Sequence, residues 1–129
     1  MRIAISGRER EDAVRKVEGV LHCTAVKPKF IEDMHPIIDY AAITYADIKG
    51  NDVIFDGSVL DVFRSYSGEG YNDVIEQIAI NSLATLDKVV VIKKELSLEE
   101  LKVYNEFASM FPDKFIFAYS ASDLEISLN

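Results

Sequence analysis

The stretch Asn51 to Tyr66, NDVIFDGSVLDVFRSY, constrains the architecture more than any other part of the chain. Val53, Ile54 and Phe55 form a short apolar run with no polar residue between them, the mark of a strand covered on both faces. Asp56 closes the run, and the residues that follow Ser58 read as a helix. Strand, carboxylate, glycine and helix in that order predict a parallel sheet. In such a sheet ligands collect beyond the carboxyl ends of the strands, which places Asp56, Gly57 and Ser58 at a candidate site.

The rest of the chain supplies partners for that strand. Arg2 to Ser6 carries Ile3, Ala4 and Ile5 and ends at Gly7. From Glu9 to Leu21, Ala13, Val14, Val17, Val20 and Leu21 fall on one face at helical spacing, with Glu9, Glu11 and Asp12 at the end where a helix dipole favours acids. Leu21 to Val26 reads as a second strand, closed by Lys27-Pro28. Residues from Ile31 to Ile48 carry a long apolar stripe, compatible with Pro36 if the helix starts near Asp33. YSGEG at 66–70 reads as a loop. A helix follows, entered through Asn72-Asp73, with Val74, Ile75, Ile78, Ala79, Ser82, Leu83 and Leu86 on its apolar face and Glu76 placed to cap it. Val89 to Ile92 is β-branched throughout. Ser97 to Glu100 is a capping-box signature that opens a helix ended by Pro112. Phe115 to Tyr119 makes a fifth strand, and Asp123 to Leu128 is a tail with the makings of a short edge strand. Alternation of this kind predicts one α/β domain over 1–129, three-layered, with a five-stranded, mainly parallel sheet and helices on both faces.

Composition narrows the function classes. With 129 residues and 49% hydrophobic content, the chain has material for one core. Its formal net charge is −8, and 14 of the 22 acidic residues lie beyond residue 51. Such a surface repels phosphate backbones and anionic membranes, so nucleic acid and membrane are not expected partners. Cys23 is the single cysteine, which removes an internal disulfide, a cysteine-based zinc site and a redox pair. His22 and His35 lack companions at ligand spacing, so no metal or cofactor is expected. MRIAISGRE is too short in apolar residues for a secretory signal, no later run approaches a membrane span, and a cytoplasmic location is expected.

The order strand, turn, helix at 2–21, then DVIFDGSVLDVFRSY, then an acidic loop and a helix running into LDKVVVIKK, resembles the P-loop nucleoside and nucleotide kinases, especially small kinase-like ATPases of large phages. Asp56, Ser58, Leu60, Asp61 and Tyr66 stand where that family's pattern has an Asp, a small residue, a Leu-Asp pair and a Tyr; Gly57 replaces an expected Arg. The resemblance implies P-loop-kinase-like strand order and a nucleoside or nucleotide ligand. It does not extend to the phosphate loop. Counting G-x-x-x-x-G-K-[ST] from Gly7 gives Asp12, Ala13 and Val14 where Gly, Lys and Ser or Thr belong. Without the Lys and hydroxyl, and with acids gained at the same helix start, ATP-dependent phosphoryl transfer is not expected. A degenerate, phage-associated member with a binding or regulatory role is.

Candidate residues follow from the strand ends: Gly7, Arg8, Asp56, Ser58 and Arg64 for a ligand, with Asp56 as base or sugar contact. Each has a plainer role available. Asp56 would cap the helix after it, Arg64 would pair with Asp61 or Glu69, and Tyr40, Tyr45, Tyr66 and Tyr71 would be core residues with a hydroxyl at the rim. Ser6 and Ser58 lack a His and a G-x-S-x-G context, which argues against a serine hydrolase. Two rival functions stand beside the first. Gly70 through Glu76 to Ala79 is similar to the nucleophile region of nucleoside deoxyribosyltransferases, in which Glu76 would attack an anomeric carbon. The acidic second half alternatively suits a protein partner or a homo-oligomer with no small ligand.

Overall fold

The computed structural model describes residues 1–27, 52–65 and 73–125, the side chains at 64, 65 and 75 excepted. Four strands form one parallel sheet: β1 (Arg2–Ser6), β2 (Val53–Asp56), β3 (Lys88–Ile92) and β4 (Phe115–Ala118), in the order β2-β1-β3-β4. Ala4 pairs with Phe55 on one side and Val89 on the other, so β1 is central. That position explains its unbroken apolar run, since Ile3, Ala4 and Ile5 are fully buried.

Helices lie on both faces. On one face α1 (Glu11–Leu21) packs Ala13, Val14 and Val17 against Ile3, Ile5, Ile54, Val90 and Ile92. The other face holds α2 (Val59–Ser65), α3 (Asp73–Ala84) and α4 (Leu98–Met110), whose Leu60, Phe63, Leu83, Tyr104 and Phe107 meet Ala4, Phe55, Val89 and Val91. Alternate residues of each strand thus serve opposite cores, the consequence of a side-chain period of two. Phe63 and Phe107 hold α2 to α4 with ring centroids 5.4 Å apart.

The α/β class, the parallel sheet and the helices on both faces agree with expectation. The expected strand over Leu21 to Val26 does not form. Leu21 still belongs to α1, and His22 ends that helix in the left-handed conformation at φ 55°. Val26 alone bridges to Phe55 beyond β2, donating to the Ile54 carbonyl at 2.7 Å and accepting from Asp56 N–H at 2.9 Å. Among the described residues the sheet therefore has four strands and one bridging residue. Ser97 makes the expected capping box with Glu100, and α4 stops at Met110, two residues before Pro112. The tail differs as far as Glu125: Ala121–Asp123 is a 3-10 turn, and Leu124 is buried against the α1 face. The stripe from Ile31 to Ile48, the loop at 66–70 and the last four residues lie outside the described residues.

Candidate functional site

Two glycines end the two strands that build the site. Gly7, at φ 116°, follows β1; a Cβ there would stand 2.4 Å from the Ile92 carbonyl oxygen, so only glycine lets the loop cross the end of β3. Gly57, at φ 102°, follows β2 and donates its N–H to the Ile5 carbonyl at 2.9 Å. The turns after β1 and β2 are thereby tied together.

Asp61 organises the space between them. Its carboxylate accepts the Gly7 N–H at 2.8 Å, the Ser58 N–H at 2.8 Å and the Tyr104 hydroxyl at 2.7 Å. It is 7% exposed and Tyr104 is fully buried. Ser58 caps α2, its hydroxyl accepting from Leu60 N–H at 3.2 Å, while Asp61 reaches back to the Ser58 N–H as the acid of a capping box does. The Ser6 and Ser58 hydroxyls meet at 2.5 Å, both buried. One carboxylate thus joins the end of β1, the start of α2 and the middle of α4.

Asp56 does not cap that helix. Ser58 has the role, and Asp56 turns toward the loop after β1, where Arg10 Nε donates to its Oδ1 at 2.8 Å. Arg10 also donates to the Gly7 carbonyl at 2.8 Å and lies 3.9 Å from Asp61. Arg8 reaches the other way, over the end of β3, donating to the Glu95 carbonyl at 3.0 Å and the Glu100 carboxylate at 2.6 Å. Glu95 holds a left-handed backbone at φ 65°, uncommon for a side chain of that size. The side of β1 that faces β3 is therefore closed by Gly7 and Arg8. Toward β2 a cleft of about 350 Å³ opens, lined by Arg8, Arg10, Glu11, Lys27 and Asp56.

Of the residues expected at a ligand, Gly7, Arg8, Asp56 and Ser58 gather at the strand ends, in different roles. Arg8 and Asp56 line the cleft. The Gly7 N–H is taken by Asp61, and Ser58 is 1% exposed with its hydroxyl engaged inside. Arg64 belongs to α2, but its side chain lies outside the described residues, as do Glu69, His35 and Tyr40, Tyr45, Tyr66 and Tyr71. Glu76 stands in the first turn of α3, half-buried, and no described hydrogen bond or ion pair joins it to the strand ends. His22 is exposed at the end of α1, and among the described residues no group of His, Cys, Asp or Glu is arranged to hold a metal ion. Arg10, Glu11 and Lys27 line the cleft and Asp61 and Tyr104 support it; none of them is among the ligand residues expected from sequence, where Asp61 stands only as a match to the kinase-like pattern and a partner for Arg64. Ser58-x-x-Asp61 was the available signal, since that spacing marks a capping box.

Compared with protein-family models, curated proteins and solved structures, the chain has no match in any of the three. Fold and site define it as a parallel α/β domain with a charged cleft beyond the ends of its first two strands. No helix among the described residues is long and apolar enough to cross a membrane.

Proposed function

We propose that this is a non-catalytic binding protein of nucleotide-kinase-like architecture, which takes a small molecule in the cleft beside β1 and β2 and does not transfer phosphate. The observation that carries the reading is the occupation of the loop after β1 by the protein's own groups. A phosphate-binding loop needs backbone N–H groups, a lysine and a hydroxyl directed at the ligand. Here the Gly7 N–H is spent on Asp61, Arg10 is held by Asp56 and the Gly7 carbonyl, and Arg8 is held by Glu100. Ala13 and Val14, at the Lys and Ser or Thr positions, are buried in the core under α1.

The kinase-like strand order draws support from the central place of β1 and from Val26, which stands outside β2 where a further strand would lie. The cleft volume falls in the range of small-molecule sites, about 300–1,000 Å³. A thermal-shift screen of nucleosides, nucleoside mono- and triphosphates with magnesium, and phosphate tests the reading, because a ligand specific to the folded state raises the melting point. A small-molecule response without ATP turnover is expected. A response to ATP with magnesium accompanied by turnover overturns it; no response to any compound shifts the account to a protein-interaction role.

A further inference from the structure

The charge pattern of the cleft narrows what it can take. Among the described residues, the cations Arg8, Arg10 and Lys27 and the acids Glu11 and Asp56 line the cleft, on a chain of formal net charge −8. These charges are unevenly committed. Arg8 uses two of the five N–H donors of a guanidinium, on Glu95 and Glu100. Lys27 is exposed and has no ion pair among the described residues. Asp56 uses Oδ1 on Arg10, which leaves Oδ2 with no described partner. Glu11 is drawn outward by Arg15, with which it pairs at 2.5 Å.

We infer that the cleft holds a compact oxyanion, a phosphate monoester or a carboxylate, carried by a hydroxylated small molecule. Lys27 takes the anion, and Asp56 Oδ2 accepts a hydroxyl hydrogen from the same ligand. A triphosphate does not suit the cleft, because Glu9, Glu11 and Asp12 cluster at the start of α1 and repel its charge. The inference rests on the small-molecule reading above and adds the ligand's chemical class.

The test is calorimetric titration of the whole protein with ribose 5-phosphate, gluconate, ribose and inorganic phosphate at low and at physiological salt. Ribose 5-phosphate or gluconate binds, and which of them binds separates phosphate from carboxylate; ribose does not bind. Added salt weakens the interaction. Lys27→Ala, a change at an exposed position, lowers affinity about tenfold, the usual scale for one charge-assisted hydrogen bond. Asp56→Ala, checked for folding by its melting curve, lowers the preference for ribose 5-phosphate over inorganic phosphate, a ratio in which the lost charge cancels. Ribose binding as tightly as its phosphate, or no effect of Lys27→Ala, overturns the inference and leaves the small-molecule reading standing. Phosphate binding as tightly as ribose 5-phosphate removes the role of Asp56 and the hydroxylated class with it. Failure of all four, together with every nucleoside and nucleotide, ends both.

Discussion

Replacing Asp61 with alanine takes away the acceptor of three donors at once: the Gly7 and Ser58 N–H groups and the Tyr104 hydroxyl. A buried donor left unsatisfied costs about 1–3 kcal/mol, so three give roughly 3–9 kcal/mol before relaxation. Water entering the vacated polar space recovers part of this, and the expected loss is about 3–5 kcal/mol. Against a typical domain stability of roughly 5–15 kcal/mol, that leaves a marginal fold. Asp61→Asn keeps the shape and one acceptor oxygen but turns an amide NH₂ toward other donors, for an expected cost of about 2 kcal/mol. Tyr104→Phe removes the hydroxyl together with its need for a partner and costs about 1 kcal/mol. Urea unfolding followed by circular dichroism measures each change. The pair Asp61→Ala and Tyr104→Phe is expected to lose less than the sum of the singles by about 1 kcal/mol, because the hydroxyl is no longer orphaned. A loss below about 1 kcal/mol for Asp61→Ala, with an additive cycle, refutes the organising role assigned to this carboxylate.

Three further outcomes follow from single residues. Gly7→Ala meets both a left-handed backbone, a penalty of about 1–2 kcal/mol, and the Ile92 carbonyl oxygen 2.4 Å from the new Cβ, so its melting temperature falls further than that penalty alone predicts. Ser97→Ala removes the cap of α4 and lowers stability by about 1 kcal/mol in urea unfolding. The Cys23 thiol has its pKa raised, first by burial and then by the Asp52 and Glu18 carboxylates. Because the thiolate is the reactive form, Cys23 alkylates more slowly than a free thiol at pH 8, gains rate as pH rises, and speeds up at fixed pH in Asp52→Asn.

Most of the fold is legible in the chain because its signals are local. Ile3 to Ile5, Val53 to Phe55 and Val89 to Ile92 are apolar without alternation, and only strands buried on both faces need that. The cap at Ser97 and the stop before Pro112 are likewise written in neighbouring residues. The segment 21–26 misleads because Leu21 serves the buried side of α1 as well as it would serve a strand, and the helix continues until His22 turns left-handed. The site is less legible because its bonds are long-range. Tyr104 lies 43 residues from Asp61, Gly7 lies 54 away, and Arg10 lies 46 from Asp56. No spacing rule reaches such pairs; only the order of strands, with β1 beside β2, brings them together. Lys27 reads as the end of a strand for the same reason, and the neighbouring bridge at Val26 sets it at the cleft.

In the proposed reading Asp61, Asp56 and Arg10 occupy the loop after β1, which leaves it no part in binding a nucleoside triphosphate. Calorimetric titration with ATP and magnesium at physiological ionic strength, paired with a phosphate-release assay, tests it most directly. No saturable heat and no phosphate above background are expected. Saturable binding with turnover, abolished by changes at residues 7–14, would contradict that reading and restore a working phosphate loop.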